Sequence, residues 1–178
     1  MLPQTLRPTT FESINFNGSS IDVPKCIITF DKWKGHPLKE TFGGKPVIDL
    51  DGKPMFAELA IMSLFNADGW LARWVETYGR KEPIMLTEWK DDKYKNQSHQ
   101  PFQNKKIISL LSEIAKTNSN TYSGCWDVLA LKNDLIIFAE SKRSNKDNIR
   151  NSQVNWLAAG LKCGLSKDNF LLVQWDFK

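Results

Sequence analysis

Histidine and cysteine are scarce in this sequence: its 178 residues include only His36 and His99, and only Cys26, Cys125 and Cys163. The three cysteines are an odd number and lie far apart, so with two isolated histidines they give no zinc-binding spacing. A thiolate nucleophile needs a histidine partner, and neither histidine sits in a context that offers one. Reduced thiols in an intracellular protein are the reading that remains. Long apolar runs are also missing: none approaches the roughly 18 residues of a membrane span. Met1 to Thr10 lacks the basic-then-apolar pattern of a secretory signal. These absences lead us to expect a soluble, cytoplasmic protein with no membrane partner. No internal repeat, low-complexity tract or long linker is visible, so one domain over residues 1–178 is the simplest organisation.

Apolar and aromatic side chains are plentiful, at 41% and 11% of the residues, enough to build a core. The net charge of +4, with an isoelectric point near 8.9, suits a nucleic-acid partner without requiring one. Lys25 to Phe30 and Pro46 to Leu50 read as short strands. Asp51-Gly52 then reads as a turn, with Asp51 capping a helix that carries Pro54 in its first turn. Within Met55 to Phe65, Glu58 shares a helical face with Ile61, Met62 and Phe65. A second helical stretch is expected over Trp70 to Tyr78, ended by Gly79. A polar loop, Asp91 to Asn104, leads to an amphipathic helix from Phe102 to Lys116. Cys125 to Leu131 and Leu135 to Lys142 are strands around a polar turn, Asn148 to Leu161 is a helix, and Phe170 to Phe177 is a closing strand. This order predicts an α/β fold with a mixed sheet.

The chemistry concentrates on the hairpin. If its loop is Asn133-Asp134, Asp127 lies directly opposite Glu140, and directly opposite side chains share a face. Lys142, two residues beyond Glu140, shares that face as well. Two facing carboxylates repel unless a cation compensates. Mg²⁺ is the expected one, since it accepts a few carboxylates and keeps several waters. Glu58 is a third acidic candidate, because a carboxylate on an apolar helical face needs a partner or a metal.

Gly124-Cys125-Trp126-Asp127-Val128-Leu129-Ala130-Leu131, a turn, then Ile136-Ile137-Phe138-Ala139-Glu140-Ser141-Lys142 resembles the core of the PD-(D/E)xK nucleases. It is most similar to their virus-type replication-repair branch, in which Asp opens one strand, Glu-x-Lys ends the next and a helix starting near a Gln packs behind. Gln153, in Ser152-Gln153-Val154-Asn155-Trp156, matches that helix, while Trp126 stands where proline is usual and Ser141 where valine is commoner. The resemblance implies a restriction-endonuclease-like mixed sheet flanked by helices, and Mg²⁺-dependent hydrolysis of DNA phosphodiesters, with Mn²⁺ able to substitute. It implies Glu58, Asp127 and Glu140 as metal ligands and Asp127, Glu140, Lys142 and Gln153 as the catalytic set. Arg143, Lys146 and Arg150 follow the active strand and are expected to contact backbone phosphates. A single small site cuts one strand, which makes a homodimer plausible. The alternative is a catalytically silent DNA- or partner-binding module on the same fold.

Overall fold

Along the central strands, apolar side chains of alternating parity feed two separate cores. The computed structural model describes residues 1–178 and contains nine strands and three α-helices. In chain order these are β1 (Thr10–Phe16), β2 (Ser19–Lys32), β3 (Ile48–Leu50), β4 (Lys53–Met55), α1 (Ala57–Ala67), β5 (Leu71–Glu76) and β6 (Ile84–Leu86). They continue with α2 (Lys105–Thr117), β7 (Val128–Lys132), β8 (Leu135–Arg143), α3 (Asn151–Lys162) and β9 (Phe170–Phe177). All strands join one mixed sheet in the order β4-β3-β2-β9-β8-β7-β5-β6, with β1 also pairing with β2. Only the β2–β9 and β8–β9 pairings are parallel.

Val128, Ala130, Ile137 and Ala139 pack with Leu59, Met62 and Phe65 of α1. Their neighbours Leu129, Leu131 and Phe138 pack with Ile107 and Leu111 of α2 and with Trp156 and Leu157 of α3. The sheet is therefore filled on both faces, and β7 and β8 read as nearly continuous apolar runs for that reason. Each large side chain buried here contributes about 1.5–3 kcal/mol relative to its exposed state. No helix is long and apolar enough to cross a membrane.

The β7–β8 hairpin has the expected register: Lys132 pairs with Leu135 and Val128 with Ala139, so the next positions outward are Asp127 and Glu140. Asn133 turns the chain with φ of 55°, a left-handed conformation that asparagine tolerates. Two expected helical features are replaced by strands. Trp70 to Tyr78 does not form a helix; Leu71–Glu76 is β5, hydrogen-bonded to both β6 and β7. Its neighbours Trp74 and Val75 pack into the cores on opposite faces, and such spacing is compatible with either period. Asp51-Gly52 is not a helix cap but the tip of the β3–β4 hairpin, where both residues have positive φ and Pro54 sits opposite Asp49. Proline is tolerated there because β4 is the outermost strand. The helix begins only at Ala57. β1 was not anticipated, and β2 starts well before Lys25, at Ser19, and ends at Lys32.

One close approach fixes α3 against the hairpin. Gly124 has φ of +82°, and a Cβ there would lie 2.0 Å from the Ser152 carbonyl oxygen. Both the backbone conformation and the lack of space demand glycine. Gly124→Ala is expected to cost at least about 2 kcal/mol, a drop in Tm of several degrees in a chain of this size. Thermal denaturation followed by circular dichroism measures this, and an unchanged Tm would show that the close approach is not needed.

Candidate active site

The β7–β8 ladder ends at Val128 and Ala139, and beyond it side chains replace the backbone partners. The Asp127 N–H donates to Glu140 Oε2 at 3.3 Å, and the Ser141 N–H donates to Asp127 Oδ2 at 2.9 Å. Each carboxylate is thus held by the opposite strand's backbone. Glu140 is only 1% exposed and Lys142 8%, and Lys142 Nζ lies 2.9 Å from Glu140 Oε1. Asp127 keeps partial contact with solvent.

Gln153 joins the site from α3. Its Nε2 donates to Glu140 Oε1, while its Oε1 accepts the Arg150 N–H at 2.9 Å. The same carboxamide therefore closes the first turn of the helix and fixes the glutamate. Trp126 adds a second tie, its indole N–H donating to the Gln153 carbonyl at 3.2 Å. Trp175 holds Ser141 in the same manner, donating to its hydroxyl at 3.0 Å.

Glu58 reaches the site from α1, 7% exposed and hydrogen-bonded to Lys45 Nζ. Lys45 was not singled out from the sequence, because it lies in the irregular segment between β2 and β3 and belongs to no periodic pattern. Its position depends on a run of left-handed backbone at Phe42, Gly43 and Gly44, with φ of 47°, 78° and 80°. The Gly43-Gly44 pair was the available clue. The ammonium also lies 5.6 Å from the Trp74 ring and 5.9 Å from Phe42. Burial opposes its charge, but Glu58 and Asp127 more than offset this, so Lys45 stays charged above the ordinary lysine range. Glu76, at the end of β5, is a fourth nearby carboxyl, raised by burial and by Glu58 and drawn down by Lys45. Reading β5 as a helix hid it.

Desolvation, followed by the charges of Glu140 and Glu58, pushes Asp127 well above the usual carboxylate range. Desolvation also raises Glu140, although Lys142 opposes the shift. Four carboxyls share two ammonium groups, Lys45 and Lys142. No three of the carboxyls gather around one point. Their free atoms are nevertheless hard oxygen donors: Asp127 Oδ1, the lightly held Glu140 Oε2 and Glu58 Oε2. In donor chemistry, though not in arrangement, this set suits a hard divalent cation.

The three basic residues after β8 differ in their surroundings. Arg143 is committed within the fold, bonded to Asp176 at 3.3 Å and lying over Phe177 at 4.7 Å. The side chains of Lys146 and Arg150 are exposed. No family model, curated protein or solved structure matches the chain.

A group whose pKa is raised by folding contributes stability below its unfolded value, and that contribution disappears as pH rises. Asp127 is such a group, so its ionisation works against the fold between about pH 4 and neutrality. In EDTA, Asp127→Asn is expected to raise Tm at pH 7 and to have little effect near pH 4. Paired melting curves across that range check this; a Tm at pH 7 below that of the wild type would contradict the electrostatic account.

Proposed function

We propose that the chain is a Mg²⁺-dependent nuclease of the PD-(D/E)xK type, with a restriction-endonuclease-like sheet, that hydrolyses phosphodiester bonds in DNA; Mn²⁺ substitutes for Mg²⁺. The observation that carries this reading is the buried Glu140–Lys142 pair set across from Asp127 where the central hairpin ends. A buried glutamate and lysine set against a second, partly buried carboxylate cost stability, and they are hard to account for unless they act together.

Asp127, Glu140 and Glu58 are the residues that would hold the ion. When bound, it supplies a Lewis acid for the phosphodiester. Gln153 and Lys142 both engage Glu140 Oε1, which leaves Oε2 as the freer oxygen. Lys142 offers its remaining N–H groups to the attacking water or to a non-bridging phosphate oxygen, where negative charge grows during attack. The water oxygen bonds to phosphorus, the bond from phosphorus to the leaving sugar oxygen breaks, and the water gives up a proton as the leaving oxygen gains one. Lys45 donates to Glu58 and holds that side chain in place.

Lys45 also favours a second reading. It already neutralises Glu58, as a catalytically silent DNA- or partner-binding module on this fold would require. Calorimetric titration with Mn²⁺ separates the two, since the nuclease binds the ion and loses binding in Asp127→Ala, whereas a silent module need not bind it.

Purified protein incubated with plasmid, single-stranded, flap and junction DNA in Mg²⁺ is expected to give cleavage that EDTA abolishes. Lys142→Ala should reduce the rate by on the order of 10²-fold or more. Equal cutting by the two proteins would sink the mechanism.

A further inference from the structure

A recess opens directly beside Lys142. It has a volume of about 490 Å³ and is bounded by β1, the end of β8 with the segment after it, the first turns of α3 and part of β9. We infer that this recess is a subsite for one nucleotide of a single-stranded nucleic acid, whose backbone then passes Lys142. The inference rests on the nuclease reading for the identity of the polymer; the recess and its chemistry do not depend on it.

Size comes first. The volume lies within the range that accommodates one small ligand. With β1 on one side and α3 on another, a base can enter only if it has left a double helix. Unpaired bases expose the hydrogen-bonding edges that a duplex conceals.

The lining supplies matching chemistry. Asn15 of β1, Asn145 and Asn148 from the stretch between β8 and α3, and Asn151 at the start of α3 line the recess. A carboxamide carries donor and acceptor side by side, the combination that reads a base edge. The acidic groups present are already engaged: Glu12 by Lys25 at 2.8 Å and Asp147 by the Arg143 N–H at 2.9 Å. The ammonium groups are paired as well, Lys25 with that same Glu12 and Lys142 with Glu140, so the lining that remains is dominated by neutral carboxamides. Ile149 and Val154 add apolar surface for the flat face of a base. The recess contains no aromatic ring, so recognition here depends on edges more than on stacking.

The experiment uses the full-length chain in EDTA, so that binding is read without cleavage. Fluorescence anisotropy compares a short labelled single-stranded DNA with the blunt duplex of the same sequence, at one fixed salt concentration. The single strand is expected to bind about tenfold more tightly or better, and the double variant Asn148→Ala with Asn151→Ala to lose about tenfold of that affinity. Asn15→Trp, a change on the exposed side of β1 that fills the recess, should remove the preference while leaving Tm unchanged. Equal affinity for single strand and duplex overturns the proposal, as does a preference that survives Asn15→Trp. Cleavage is assayed separately in Mg²⁺. Strand preference without cleavage upholds the subsite and removes the nuclease reading, and cleavage without preference does the reverse.

Discussion

Everything distinctive about this chain follows from the placement of two carboxylates opposite one another at the end of a hydrogen-bonded hairpin, largely out of water. Asp127 and Glu140 are costly to ionise there, because burial disfavours the charged form of both and the charge of Glu140 adds to the penalty on Asp127. The surrounding residues restrain them. Backbone N–H groups from opposite strands cross over to the two side chains, Lys142 shares the face, and Gln153 reaches across from the helix behind. A centre supported from so many directions is rigid, which suits a site whose work depends on fixed dipoles and charges.

The sheet's topology explains why these supports meet. Glu140 and Lys142 lie just past the end of the ladder with β7 but still pair with Leu172 and Gln174 of the parallel strand β9, so neither can move without disturbing that ladder. The α1 helix on one face and α3 on the other bring Glu58 and Gln153 to the same end of the sheet. The two flanking layers thus contribute to one centre in different ways. From the α1 side come a further carboxylate and, by way of Lys45, a compensating charge, and from the α3 side comes a neutral carboxamide that orients.

Sequence made the central hairpin legible because two constraints agreed there. Apolar runs of strand length were separated by a polar turn, and that turn fixes register. Asp127, Glu140 and Lys142 followed directly from that register. Glu58 was legible because a lone carboxylate on an apolar helical face is conspicuous. The β5 strand was not: Leu71 to Glu76 has no clean alternation, since both of its faces are covered, and local pattern could not separate it from a helix. With it went Glu76. Lys45 was hidden for a different reason, as it belongs to no regular element and its role is set by contacts with residues distant in sequence. The β3–β4 turn was misjudged because Asp-Gly serves equally as a helix start and as a hairpin tip, and only strand pairing decides between them.

The segment that delivers Lys45 is itself held by another loop. The N–H groups of Lys39 and Glu40 donate to Asp91 at 2.7 and 3.0 Å, the Trp89 indole donates to the Glu40 carbonyl at 3.0 Å, and the Phe42 and Tyr94 rings lie 4.7 Å apart. The position of Lys45, and with it the charge balance at the hairpin, is therefore partly set by a polar surface loop distant from it in sequence. Heredity has to treat the two loops as one character: a recombinant that took residues up to α1 from one parent and the remainder from another would inherit the lysine without its moorings. Drift in the length of either loop would be felt first at the acidic centre.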